Sequence, residues 1–127
     1  MKNALITLLA LLGFSCSQQN SAAQSKLDPA AFESGMAVAG AQLIDVRTPD
    51  EFQAGHIEGA LNINIASPQF GNETGKLNKA EPVYVYCAVG GRSAKAASAL
   101  KEQGFLQVYD LAGGITAWKS SGKKVVK

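Results

Sequence analysis

From Leu27 onward, short apolar runs alternate with stretches of helical spacing, and this alternation constrains the chain to an α/β fold with a mostly parallel sheet. Asp28-Pro29 sets a capping residue before a proline at the first helical position and predicts a helix through about Val38. Gln42 to Val46 follows as a short buried strand. Thr48-Pro49-Asp50-Glu51 repeats the start signal, with Glu51 completing a capping box, and this helix stops at Gly55. Ala60 to Ile65 is a further strand, with Leu61, Ile63 and Ile65 at period two. Ser67 to Lys79, broken by Gly71 and Gly75, reads as a loop with some helix. Pro82 to Tyr86 is the best strand of the chain, β-branched and aromatic throughout. Arg92 to Gln103 carries alanines and Leu100 at helical spacing and closes at Gly104, a natural C-cap. Gln107 to Leu111 is another strand, and Gly113-Gly114 leads into a last helix in which Trp118 is a core residue.

The 127 residues point to one domain, residues 27–127, once a targeting segment is set aside. Met1-Lys2-Asn3 is a short positive start, and the apolar run Ala4 to Phe14 is broken only by Thr7 and Gly13. At about 1.5 Å per residue it is too short for a ~30 Å hydrocarbon core, and it fits the apolar region of a secretory signal. Gly13-Phe14-Ser15-Cys16 resembles a bacterial lipobox, although Gly13 and Phe14 replace the usual Leu and small residue. Residues 1–16 are therefore expected to be an export segment with Cys16 as the lipidated residue, placing the domain in the periplasm on a membrane tether. The other reading is ordinary cleavage near Ala22-Ala23, with Cys16 discarded. Residues 17–26 are polar and without periodicity, as a flexible tether would be. The formal charge of +2 gives no electrostatic case for nucleic acid as a partner. Lys123, Lys124 and Lys127 read as a solvated end.

There are two cysteines. With Cys16 lipidated or removed, Cys87 has no partner in the chain, and an unpaired thiol in an oxidising compartment is a liability unless it is buried or used. Its setting favours use. Cys87 directly follows the strand Pro82 to Tyr86, and the loop Ala88-Val89-Gly90-Gly91 leads into the helix headed by Arg92-Ser93. Ligands of open α/β sheets bind at the carboxyl ends of strands. A short glycine-bearing loop can turn its N–H groups inward, and the following helix adds its positive end. A cysteine in that nest has its thiolate stabilised, and Arg92 offers a planar fork of donors to an anionic group. The chemistry implied is nucleophilic attack by Cys87.

Cys87-Ala-Val-Gly-Gly-Arg92-Ser93 resembles the active-site loop of the rhodanese family, C-x-x-G-x-R-S. Three further stretches agree in order: Asp45-Val46-Arg47 with Glu51-Phe52, then Gly55-His56-Ile57-Glu58-Gly59-Ala60-Leu61-Asn62, then Leu111-Ala-Gly113-Gly114 with Trp118. The resemblance covers Leu43 to Trp118. It implies a doubly wound sheet of five strands with helices on both faces, and a sulfurtransferase working through a Cys87 persulfide. The donor would be a small sulfur-containing anion or a persulfide, the acceptor a thiol or protein thiol. No metal or organic cofactor is implied, and His56, the one histidine, cannot build a metal site alone. Four residues separate Cys87 from Arg92, one fewer than in related phosphatases and arsenate reductases, which suits a sulfur atom better than phosphate.

The resemblance assigns supporting roles to Asp45, Arg47, Glu51 and His56. An Asp45–Arg47 or a Glu51–Arg47 pair is expected, and His56 is expected to order its loop by hydrogen bonds. Members that favour thiosulfate often carry basic side chains inside the loop, whereas Ala88, Val89 and Gly91 are uncharged. Weak use of thiosulfate and better use of polysulfide or a protein persulfide follow. A sulfur carrier serving a protein partner is the alternative. A reversible redox role lacks a second cysteine to resolve a sulfenic acid.

Overall fold

A computed structural model describes residues 25–127. The export segment, Cys16 and most of the tether lie outside the described residues. Strand β1 (Ser25–Leu27) opens the fold. Asp28 then caps α1 (Pro29–Met36), its Oδ1 accepting from Ala31 N at 2.8 Å. The helix ends two residues earlier than expected, because Val38 N turns back to Gly35 O and Ala41 N to Val38 O. Strand β2 (Gln42–Asp45) leads to α2 (Pro49–Ala54). The capping box of α2 is reciprocal: Glu51 N donates to Thr48 Oγ1, and Thr48 N to Glu51 Oε1, both at 3.3 Å. There follow β3 (Leu61–Asn62), α3 (Phe70–Thr74), β4 (Val83–Tyr86), α4 (Gly91–Glu102), β5 (Val108–Leu111) and α5 (Gly114–Ser120).

The five strands lie in the order β1-β5-β4-β2-β3, and all four pairings are parallel. Helices cover both faces. On one, α4 lays Ala96, Ala97 and Leu100 over Ile44, Val83, Val85 and Val108, with Phe70 of α3 alongside. On the other, Phe32 of α1 and Ile115 and Trp118 of α5 cover Tyr84, Tyr86 and Leu111. β4 is buried along its whole length, which is why its sequence is a continuous apolar run rather than an alternating one. The chain leaves β2 towards β3 on one side and returns to the other side for β4. The carboxyl ends of β2 and β4, carrying Asp45 and Cys87, therefore flank a point where ligands of such sheets bind.

Three expectations are corrected. β1 takes Ser25 and Lys26, the last residues of the expected tether, into the sheet by pairing Ser25 with Tyr109 and Lys26 with Asp110. Of the strand expected over Ala60–Ile65 only Leu61 and Asn62 join the ladder. Beyond them Ile63 N and Ile65 N bond to Asp45 O and Val46 O as the chain bends away at the sheet edge. Of the three lysines expected as a solvated end, Lys124 and Lys127 are exposed, and the Lys123 side chain and the backbone around them are drawn in. Lys123 reaches Glu33 at 2.9 Å, Trp118 Nε1 donates to Lys124 O at 2.9 Å, and Val126 exchanges two 2.8 Å backbone bonds with His56.

Candidate functional site

β4 ends where Cys87 begins a tight reversal, and the residue is buried, 1% exposed. Gly90 N donates to Cys87 Sγ at 3.0 Å, and the thiol lies 3.4 Å from Ser93 Oγ, its acceptor. Ser93, itself fully buried, donates to Gly90 O at 3.1 Å. Gly90 has φ +124°, a conformation that L side chains rarely adopt, and this lets the chain turn from the loop into α4 directly after the N–H that meets the sulfur. Burial pushes the thiol up. The Ser93 hydroxyl and the backbone N–H groups of Ser93, Gly90 and Val89 outweigh it, and Cys87 lies below the ordinary thiol value. These N–H groups include orphan donors of the first turn of α4, so the helix end that would otherwise face water faces the sulfur.

The loop is clamped from outside by α5. Ile115 N donates to Cys87 O at 2.9 Å and Thr116 N to Ala88 O at 3.1 Å. These bonds turn both carbonyls away from the sulfur. Gly114, at φ +60°, lies so close that a Cβ there would overlap Cys87 O and the Ala88 carbonyl. Gly113-Gly114 therefore seats the cysteine loop as well as starting a helix. No local signal in the sequence separates the two roles.

Arg92 stands at the head of α4, but its fork is filled. Nη1 and Nη2 meet Glu51 Oε1 and Oε2 at 2.7 and 2.9 Å. The guanidinium and the Thr48 contacts bring the Glu51 carboxyl down to about 2. The fork expected to serve an anion meets the Glu51 carboxylate here, and of the two pairs expected for Arg47, with Asp45 or with Glu51, the first forms. Arg47 pairs with Asp45, its Nη2 2.6 Å from Asp45 Oδ2 and 2.7 Å from Gly55 O, with its guanidinium 5.7 Å from the Tyr86 ring. Tyr86 hydroxyl accepts from Ile57 N at 3.0 Å, and burial with the Asp45 charge keeps it protonated. None of the side-chain hydrogen bonds of Asp45 or Arg47 goes to the Cys87–Ser93 loop. They hold the end of α2, and through it Glu51.

Comparison with known proteins agrees with this geometry. A family model described as the Rhodanese-like domain matches residues 28–121. The chain belongs to the rhodanese-like family. A Coxiella burnetii protein named thiosulfate sulfurtransferase GlpE is 42% identical over 78 residues, 61% of this chain and 71% of that protein. Thiosulfate sulfurtransferase 16, chloroplastic, of Arabidopsis thaliana is 36% identical over 95 residues, 67% of this chain and 79% of that protein. The Bacillus subtilis protein YqhL is 44% identical over 78 residues, and the chain spans 60% of its length. Among solved structures, a rhodanese-related protein from Thermoplasma volcanium superposes with a TM-score of 0.71 at 29% identity, covering 80% of this chain and 97% of that one. The five-stranded parallel sheet with helices is the fold that this structural likeness shows.

Within this rhodanese-like domain the remaining sequence-derived residues separate clearly. Ala88 is half-buried, Val89 is 69% exposed and Gly91 is exposed with open space at its Cβ position, so these three form the rim. His56 is held by its surroundings: Nδ1 is 2.9 Å from Phe52 O, and the ring stacks on Phe52 with centroids 3.7 Å apart. No cluster of ligating side chains suited to a metal occurs among the described residues. One buried group beside the loop escaped notice in the sequence: Asp110 on β5, 2% exposed.

Proposed function

We propose that this chain is a sulfurtransferase that carries sulfane sulfur on Cys87. The observation that carries the reading is the buried thiol facing inward-turned N–H donors and held below its ordinary value. The thiolate attacks the outer sulfur of the donor, forming a Cys87 S–S bond. The donor's own S–S bond breaks, and its remainder leaves with the electron pair, as sulfite when the donor is thiosulfate. The terminal persulfide anion then lies among the loop donors until an acceptor thiolate attacks it and Cys87 leaves as thiolate. Preorganised donors of this kind are worth about 2.7–4 kcal/mol each where an oxyanion is stabilised, and they act here on a sulfur anion.

The filled fork of Arg92 leaves the backbone as the main source of positive potential at the thiol. Polysulfide or a protein persulfide is therefore the better donor, and thiosulfate should show a KM above ~1 mM, the upper end of the usual range. A sulfur carrier working for a protein partner is the second reading, favoured by the exposure of Val89 beside a thiol that is itself covered.

Intact mass spectrometry of the purified protein tests the function. Incubation with polysulfide should add one sulfur atom, which cyanide or dithiothreitol removes and Cys87→Ser abolishes. A free thiol that takes up sulfur from no donor overturns the proposal. Rapid multiple turnover with small thiols favours the enzyme, transfer only to one protein thiol the carrier. We propose further that Cys16 anchors the chain in a membrane; unchanged membrane association of Cys16→Ser would exclude this.

A further inference from the structure

Asp110 is the buried charged group that the sulfur chemistry leaves unused. It lies on β5 opposite Val85 of β4, two residues before Cys87, and opposite Lys26 of β1. Its side chain is on the sheet face that α4 covers, because its period-two neighbour Val108 packs there with Val85, Cys87 and Ala96. The residue is 2% exposed, and its Oδ1 has no hydrogen-bond partner. An unpartnered carboxyl oxygen inside a protein is costly enough to need a reason.

The reason is next to it. Ser93, in the first turn of α4, accepts from the Cys87 thiol and lowers the Asp110 carboxyl on the same sheet face without closing a hydrogen bond to its orphan Oδ1. Its single hydroxyl hydrogen is turned to Gly90 O. Rotation of that hydrogen offers it to the sulfur or to Asp110, so three acceptors compete for one donor. Each group has one cation acting on it through space, and neither cation is paired with it. Lys26, exposed on β1, acts on Asp110 from one side, while Arg92 at the head of α4 is turned to Glu51 of α2. Burial accordingly pushes the Asp110 carboxyl up, against the opposing pull of Ser93, Lys26 and the Leu111 backbone.

We propose that Asp110 and Cys87 share one proton through the Ser93 hydroxyl, so that the thiolate is made by moving its proton to Asp110. The S–H proton passes to Ser93 Oγ as the Ser93 hydrogen passes to the carboxylate. The result is a neutral Asp110 donating to Ser93 and a Ser93 hydroxyl donating to the sulfur anion. While the negative charge rides on sulfur, as thiolate or persulfide, Asp110 keeps the proton. Between cycles the charge returns to the carboxylate and the sulfur rests as a thiol. Asp110 is a positioning and proton-holding residue; it does not touch the donor. The use made of the proton rests on the sulfurtransferase reading, whereas its sharing does not.

The test follows Cys87 Cβ and Asp110 Cγ by carbon NMR against pH in the unmodified protein. Two groups sharing a proton show the same two midpoints at both nuclei. Two different single midpoints overturn the proposal, and this measurement stands even where a variant fails to fold. In Asp110→Asn, whose amide permanently donates to Ser93, Cys87 should titrate in one step below the upper wild-type midpoint. Its alkylation by iodoacetamide at neutral pH should be several-fold faster. A folded Asp110→Asn protein with the wild-type Cys87 profile overturns the shared proton. Sulfur loading by intact mass on the same samples separates the two claims. Shared midpoints without sulfur uptake overturn the sulfurtransferase reading alone, and sulfur uptake with independent midpoints overturns the shared proton alone.

Discussion

Two ion pairs arise from one short segment of sequence and end in opposite surroundings. Asp45 and Arg47 close on each other with side chains 0% and 6% exposed, and the pair also binds Gly55 O and lies against Tyr86. Glu51 crosses to Arg92, 41 residues away, and both side chains remain more than a third exposed. The first pair is local in sequence and deep in the fold; the second is distant in sequence and near water. Burial decides their uses. Removing one member of a buried pair strands a charge, so Asp45–Arg47 acts as a platform. A solvated pair contributes little to stability, yet Glu51 fixes where the Arg92 guanidinium, at the head of the thiol's own helix, spends its charge.

The largest effect is expected from Asp45→Asn, which leaves Arg47 buried without a counter-charge and should cost about 3–5 kcal/mol of unfolding free energy. Urea denaturation measures it, and a loss below ~1 kcal/mol would erase the distinction between the pairs. Glu51→Gln should cost no more than about 1 kcal/mol. Because it releases Arg92, the same change should shift Cys87 alkylation to lower pH and lower the KM for thiosulfate several-fold; unchanged values would show that the Arg92 charge does not reach the sulfur.

Acid sharpens the contrast. The Glu51 carboxyl titrates at about 2 in the fold against an ordinary 4.5, so its contribution is full above 4.5 and is lost as pH falls towards 2. The stability gap between wild type and Glu51→Gln should close over that window, starting from no more than about 1 kcal/mol because both side chains are solvated. A gap constant from pH 5 to 2 would refute the assignment. The smallest effect is salt. At 1 M, where the screening length is about 3 Å, the Glu51–Arg92 coupling in a double-mutant cycle should fall by a few tenths of a kcal/mol, with the Asp45→Asn penalty nearly unchanged.

Whatever depends on neighbours in sequence was legible before the structure. Asp28 and Thr48 cap because a side chain reaches an N–H three residues on, and Cys87 meets Gly90 and Ser93 within one turn of chain. Partners chosen across the fold were not. β1 is three residues with no pattern of its own, and it is a strand because β5 offers it an unpaired edge. The destination of Glu51 depends on where α2 and α4 begin relative to one another. Asp110 reads as a polar residue in a short strand, and only the cover supplied by α4 shows that it is enclosed.

The depth of Cys87 makes reach a selective property. A second sulfur extends the side chain by about 2.05 Å, carrying the reactive atom from a position 1% exposed towards the rim where Val89 stands in water. On the proposed chemistry the empty site admits a donor that offers its sulfur on a slender arm, a polysulfide chain or the persulfide side chain of a protein. The loaded site presents its cargo to partners far too bulky to touch the cysteine. Loading would then be filtered by the width of the arm that carries the sulfur, and unloading by the nucleophilicity of an acceptor that need not enter the site.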